Sequence, residues 1–373
     1  DAANSAPGQS FYDAADAYLA AGMIDASISA LDSAVRAGYH DSAGLKDDTA
    51  LVALHADPRW SNVVTGVVRN EKRFRKVHSD PNRVLISTAD ITRFWTAYDL
   101  AAKEPTIDAR SGVYLREYVE PGSRGLHDFY AKKIRSSKRL AEAVDKYPRF
   151  YASMRGPASH LSNLAPTIRS VFRRMKQLYP ETIYPDIYFV MGRISSAGTV
   201  ADYGLLFGAE QNVASAGTPV DELPLALQRI VYQRADLPHT IAHELVHFQQ
   251  HLADKHTLLD VALIEGGATF LSDLAVPDRP PPYFLTWGAA HERQVWTAFA
   301  RVMEHDDVSQ WIGNNGTTSR PDWPADLGYF VGYQISKAYY ERASNKRDAI
   351  RDLIVLRDSE AILRGSHYAS TFR

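Results

Sequence analysis

The chain lacks cysteine, long apolar runs and a large excess of charge of either sign. Cysteine is absent from its 373 residues, which excludes disulfides and thiol catalysis and leaves histidine, aspartate and glutamate as the plausible metal ligands. No apolar run approaches the roughly 18 residues that a membrane-spanning helix needs. The formal net charge of −2 gives no reason to expect nucleic acid or an anionic membrane as a partner. A hydrophobic content of 45% is that of a globular chain with ample material for a core.

The first residues are typical of an exported protein. The chain starts with Asp-Ala-Ala-Asn-Ser-Ala-Pro-Gly and has no initiator methionine, as a mature protein would after loss of a signal peptide. A trimmed chain would begin in the same way. We expect an exported protein, periplasmic or secreted.

The most informative stretch is His-Glu-Leu-Val-His at residues 243–247. Residues four apart lie on the same face of a helix, so His243 and His247 can bind one metal ion, with zinc the expected ion. Glu244 lies roughly 100° around the helix, beside the open face of the metal, where a general base belongs. Asp236 is expected to cap this helix, and Pro238 suits its first turn. The alternative is a surface helix that carries two histidines and a glutamate.

A zinc ion that does chemistry needs a third protein ligand and a water molecule. His251 is eight residues beyond His243, about 12 Å along the helix, which is too far for a shared ion. Glu265 is the better candidate, because it lies in a segment of helical periodicity, Leu258 to Leu274. The small residues 266–268 that follow it would let this helix approach the first one closely.

We predict two main parts, an N-terminal helical segment over residues 1–68 and a larger domain over residues 69–373. The first contains a helical hairpin that resembles one tetratricopeptide-type repeat and could contact a protein partner. The second divides into a helical part, a part with the sheet and the metal helices, and a C-terminal helical part: 69–180, 181–275 and 276–373. Two short strands are predicted just before the metal helix, at 187–191 and 204–208. The basic clusters Arg69 to Lys76 and Lys132 to Arg139 are interpreted as solvated helix faces.

His243, Glu244 and His247, with seventeen residues between His247 and Glu265, resemble the gluzincin superfamily of zinc metallopeptidases. More narrowly, the chain resembles exported bacterial families of predicted zinc-dependent proteases. The resemblance implies that His243, His247 and Glu265 hold zinc and that Glu244 is the general base. It also implies an α+β, predominantly helical fold, with a zincin-like core in which a small sheet precedes the metal helix.

Two further segments are similar to aminopeptidase-type gluzincins. Tyr329-Phe-Val-Gly332 resembles a Tyr-x-x-Gly sequence whose phenol stabilises the oxyanion, with Tyr333 as the reserve candidate. Gly208-Ala209-Glu210, followed by Gln and Asn, resembles a strand that binds the amino terminus of a substrate. In this chain the glutamate is displaced by one position.

The function expected from the resemblance is hydrolysis of peptide bonds by a zinc-activated water molecule, with Glu244 as the base and a peptide or protein as the substrate. One alternative is a helical interaction protein whose metal site is structural or vestigial, with His251 or His256 in place of water. Another is a zinc hydrolase that acts on a substrate other than a peptide.

Overall fold

A computed structural model describes residues 7–201, 204–250, 257–314, 320 and 322–372. The fold is predominantly helical with a small sheet, as the sequence predicts. The helices are α1 Pro7–Ala20, α2 Ile24–Arg36, α3 Ser42–Asp47, α4 Trp60–Val77, α5 Ala89–Ala101, α6 Ile107–Tyr114, α7 Arg124–Phe129, α8 Ser137–Lys146, α9 Pro148–Ser159, α10 Ala165–Leu178, α11 Ala209–Asn212, α12 Leu225–Gln228, α13 Leu237–Gln249, α14 Leu258–Ala275, α15 Tyr283–Ala290, α16 Glu292–Phe299, α17 Leu327–Arg342, α18 Lys346–Val355 and α19 Ser359–Ser366. The strands are β1 Ile86–Ser87, β2 Asp186–Val190, β3 Gly198–Ala201 and β4 Gly204–Gly208.

The chain forms two compact units, Asp1–Arg83 and Val84–Arg373, each with its own hydrophobic core. In the first unit, α1 and α2 pack against each other, and the turn between them contains Gly22 with φ +76, a conformation that glycine adopts without steric cost. The predicted boundary after residue 68 falls within α4. The likeness of this unit to a tetratricopeptide repeat stays a prediction.

The sheet of the second unit has the strand order β1-β2-β4-β3. β1, β2 and β4 run parallel, with Ile187 opposite Leu205, whereas β3 runs antiparallel to β4 at the edge, with Gly198 opposite Phe207. The predicted strands β2 and β4 are confirmed. β1 and β3 were not predicted, because one is only two residues long and the other carries no apolar alternation.

Helix α13 lies between the sheet and α14, which packs in turn along α17. A Cβ atom on Gly332 would lie 1.7 Å from the carbonyl oxygen of Ala262, and one on Gly266 would lie 2.2 Å from the nitrogen of Tyr333. These glycines therefore allow two backbones to touch. The expectation that the small residues at 266–268 bring α14 close to the metal helix needs correction, since Gly266 faces α17.

The region from Leu126 to Val144 does not form one continuous helix. After α7 the chain makes a π-helical turn at Tyr130–Ile134, and Arg135 then takes a left-handed conformation with φ 64 before α8 begins. At the break, the carbonyl groups of Lys133 and Ile134 accept hydrogen bonds from the loop that precedes β3. Among the residues that the structure describes, none of the helices combines the length and apolar character that a bilayer crossing requires.

Candidate metal centre

The three side chains predicted to bind zinc meet at one point between α13 and α14. His243 and His247 lie one turn apart on α13, and their Nε2 atoms are 2.9 Å apart. Oε2 of Glu265, from α14, lies 3.3 Å from Nε2 of His243 and 3.2 Å from Nε2 of His247. The three side chains are 14, 17 and 22% exposed, so the point where they meet is sheltered but open to solvent on one side.

This triangle has the dimensions of one face of a zinc coordination sphere. Ligand atoms about 2.0–2.1 Å from a tetrahedral zinc ion are about 3.3 Å from each other. Three acceptor atoms that face one another repel unless a metal ion or a proton lies between them. The pKa values of the two imidazoles accordingly move apart: burial and the charge of His247 lower the pKa of His243 to about 4. Although burial opposes it, the charge of Glu265 raises the pKa of His247 to about 9.

Hydrogen bonds on the far side of each imidazole fix the orientation of both rings. Nδ1–H of His247 donates to Oε1 of Gln250 at 2.6 Å, and the amide of Gln250 donates to the carbonyl oxygen of Ile264. Nδ1 of His243 lies 3.4 Å from Oγ1 of Thr269, whose hydroxyl donates to the carbonyl oxygen of Glu265. Both Nε2 atoms therefore point at the triangle, and they are both acceptors once His247 gives up its Nε2 proton, as metal-binding histidines require. Sequence reasoning missed Gln250 and Thr269, although each lies within one turn of a predicted ligand.

Glu244 lies beside the triangle and against the edge strand. A Cβ atom on Gly198 of β3 would come within 2.7 Å of Cγ and Oε1 of Glu244, so only glycine lets the strand lie this close. Burial raises the pKa of the Glu244 carboxyl to about 7. The side chain is therefore a sheltered proton acceptor next to the three predicted ligands.

Tyr329 also reaches the triangle, whereas Tyr333 does not. The ring of Tyr329 stacks on the imidazole of His243 with the centroids 6.2 Å apart, and its phenol lies near enough to Glu265 to interact with its charge. Burial and the neighbouring Glu265 charge raise the pKa of Tyr329 well above its usual range. The phenol of Tyr333, one turn further along α17, interacts instead with the charge of Asp273.

The segment predicted to bind the amino terminus of a substrate is inside the core. Gly208, Ala209 and Glu210 are all buried, and the two carboxylate oxygens of Glu210 accept the backbone N–H groups of Gly192 and Ile194 at 2.7 and 3.0 Å. Glu210 thus holds the loop before β3, and its oxygens face that loop instead of a ligand. Burial raises its pKa to about 7.

In the described part of the chain, no other histidine near the 243–247 motif joins the triangle. His239 is buried and bonds to Asp273 at 2.7 Å, and it also accepts a bond from Arg279. His251 and His256 lie outside the described residues.

Comparison with known proteins changes the expected identity. The family model described as "Gliding motility protein GldB", labelled GldB_lipo, matches residues 104–370, more than two thirds of the chain. No curated protein and no solved structure matches the chain. The predicted identity as a gluzincin metallopeptidase is therefore wrong, and so is the predicted hydrolysis of peptide bonds, because the matching family is described as one of gliding motility proteins. The chain belongs to the family of gliding motility protein GldB.

Proposed function

We propose that this protein is a zinc-binding, non-enzymatic component of the cell envelope that acts through contacts with other proteins. His243, His247 and Glu265 would hold the ion. Zinc bound there would supply a cross-link between α13 and α14, with an exchangeable position on its open side. This role keeps the predicted ligands and assigns no reaction to Glu244 or Tyr329.

The observation that carries the proposal is the convergence of three acceptor atoms within 3.3 Å of one another. The hydrogen bonds from Gln250 and Thr269 support it, because they orient both imidazoles in advance and hold the tautomer that binds a metal. The alternative to a metal site is an ion pair that only stabilises the fold, and such a pair needs one histidine and one carboxylate. Here a second imidazole faces the same point, which favours a metal site.

Membership of the GldB family supports an exported location, since the family label marks a lipoprotein. A gliding motility protein works with other proteins, which supports protein partners over a small-molecule substrate. The order of sheet, metal helix and ligand helix also supports the finer fold expectation of a zincin-like core, which remains part of this proposal.

The test is zinc content. After exposure to a chelator, incubation with one equivalent of zinc and dialysis, the parent protein should retain one zinc ion per chain by mass spectrometry. His247→Ala and Glu265→Gln should retain less than a tenth of that amount, while the matched change His160→Ala, at an exposed histidine away from the triangle, should retain a full equivalent.

A second measurement connects the ion to the two helices. Zinc at a free concentration 100 times its Kd should stabilise the parent by about 2.7 kcal/mol and raise its Tm, and it should leave the Tm of Glu265→Gln unchanged. The proposal fails if the parent retains no zinc. Cleavage of a peptide library by the zinc-loaded parent, abolished by Glu244→Gln, would contradict the non-enzymatic role.

A further inference from the structure

Five basic side chains gather where the chain turns from α7 into α8 and at the loop that precedes β3. They are Lys132, Lys133, Arg135, Arg139 and Arg193, and we name them the basic surface. Arg193 is distant in sequence from the other four. It is fixed among them because its Nε–H donates to the carbonyl oxygens of Lys133 and Ile134 at 3.1 and 3.0 Å.

The basic surface forms no close ion pair within the described part of the chain, although Lys133 lies near enough to Glu244 to interact with its charge. None of the five side chains forms an ion pair with an acidic side chain there, whereas the neighbouring Lys138 pairs with Asp108. Lys132, Arg135 and Arg139 are exposed, and the other two are half-buried. Burial lowers the pKa of Arg193, and the neighbouring charges of Arg139 and Arg135 lower it further.

The edge strand β3 borders this surface and has free backbone donors. Ala197 accepts a bond from Gly208, so the alternate residues Gly198 and Val200 direct their N–H and C=O groups away from β4. Their two outward N–H groups have no partner among the described residues. They are two residues apart, about 6.6–6.8 Å along the strand, which is the spacing of alternate carbonyl groups in an extended chain.

The outward carbonyl groups of the same edge are covered. The hydroxyl of Ser196 donates to the carbonyl oxygen of Gly198 at 2.6 Å, and the Lys132 ammonium donates to that of Val200 at 3.3 Å. A lysine on a free edge protects it from unselective strand pairing. An incoming segment that carried carboxylates could bind the Lys132 ammonium and thereby uncover the edge.

We infer that the basic surface and the outer edge of β3 form a docking site for an extended, acidic segment of a partner protein. The backbone carbonyl groups of the segment would accept the N–H groups of Gly198 and Val200, and its carboxylates would contact the basic surface. Charge complementarity selects an acidic occupant. The regular spacing of the backbone donors selects a peptide over a lipid headgroup, which cannot present carbonyl groups at that repeat.

The test uses a fluorescein-labelled decapeptide of alternating valine and glutamate, with binding followed by fluorescence anisotropy. The full chain should bind it, and raising the salt concentration from 50 to 200 mM should weaken binding, because exposed charges are screened. The triple variant K132E/R135E/R139E should bind about tenfold more weakly, as expected for three exposed charge contacts. The matched triple R69E/K72E/R73E, with the same charge change at exposed residues of α4, should stay within twofold of the parent.

Two control peptides separate charge from strand pairing. A decapeptide of alternating valine and lysine should not bind. In a second control, two central backbone amides of the valine–glutamate decapeptide are replaced by esters. This peptide keeps its charge but offers weaker carbonyl acceptors, and it should bind at least threefold more weakly than the all-amide peptide. Equal binding of the ester peptide would overturn the edge pairing without any need for a variant that must fold.

Other outcomes also decide the matter. Failure of the parent to bind the acidic peptide, or equal binding by K132E/R135E/R139E, overturns the inference. In another outcome, the parent binds vesicles with 30% phosphatidylserine but not the acidic peptide, while the triple variant binds neither. That result would assign the basic surface to lipid and would overturn the inference. The surface shares no residue with the metal centre, so the triple variant should still retain one zinc ion and the two proposals can fail separately.

Discussion

Replacement of Gly332 by alanine tests whether the contact between α14 and α17 positions the metal centre. The new Cβ atom would lie 1.7 Å from the carbonyl oxygen of Ala262. Contacts of a Cβ atom shorter than 3.0 Å essentially do not occur in real structures. A backbone oxygen cannot rotate away as a side chain can. The two helices must therefore separate, and Glu265, one turn beyond Ala262 on α14, must move with its helix.

The expected cost follows from two opposing effects. Overpacking of a close contact costs about 1–3 kcal/mol and more when backbone must shift, so we place this case at about 3 kcal/mol or above. Alanine is favoured over glycine within a helix by about 1 kcal/mol. Gly332→Ala should therefore lower the free energy of unfolding by at least about 2 kcal/mol, and the displaced Glu265 should weaken zinc binding about tenfold or more.

Urea denaturation gives the stability and calorimetric titration gives the zinc Kd. The matched control is Gly156→Ala in α9, an exposed helical position with no atom within 4 Å of the new Cβ. It should raise stability by about 0.5–1 kcal/mol and leave zinc binding unchanged. A Gly332→Ala protein within 0.5 kcal/mol of the parent, with the parental zinc Kd, would refute the reasoning.

Three other predictions concern single contacts of the second unit. Burial raises the pKa of Glu210 to about 7 from an ordinary 4.5, so its contribution to stability is fully present below pH 4.5 and declines by about 3 kcal/mol as the pH rises through 7. Between pH 5 and pH 8 the parent should lose about 3 kcal/mol more stability in denaturation than Glu210→Gln, which keeps the similar decline due to Glu244; equal losses would contradict this role of Glu210. Gln250→Ala removes the partner of His247 Nδ1 and should raise the zinc Kd about 10- to 100-fold in calorimetric titration, whereas an unchanged Kd would remove Gln250 from the centre. The hydroxyl of Thr257 accepts the N–H of Asp260 and caps α14. Thr257→Ala removes this cap and should lower the free energy of unfolding in urea by about 1 kcal/mol; an unchanged value would mean that the cap does not contribute to stability.

The features that depend on local periodicity could be predicted. The spacing of His243 and His247 gave the shared face of α13, and the apolar pattern around Glu265 gave α14. The start of α13 is less simple, because Asp236 occupies the cap position but its carboxylate accepts the backbone N–H of Gln233 instead of an N–H of the helix. Here a preceding short helical turn competes for the same carboxylate.

The features that depend on distant contacts could not be predicted. Lys132 and Arg193 are far apart in sequence, and only the left-handed turn at Arg135 and the loop before β3 bring them together. Glu210 lies in a segment similar to a peptidase motif, but its burial against Gly192 and Ile194 has no local signal. The family could not be read from the metal motif either, because two histidines and a glutamate specify ligands and leave the biological role open.

The most direct measurement is the position of zinc in crystals of the zinc-loaded protein, located by anomalous diffraction at the zinc edge. Our account predicts one peak per chain, about 2.0–2.2 Å from Nε2 of His243, Nε2 of His247 and one carboxylate oxygen of Glu265. A peak elsewhere, or no peak at these three side chains in crystals of a protein that has retained zinc, would contradict it.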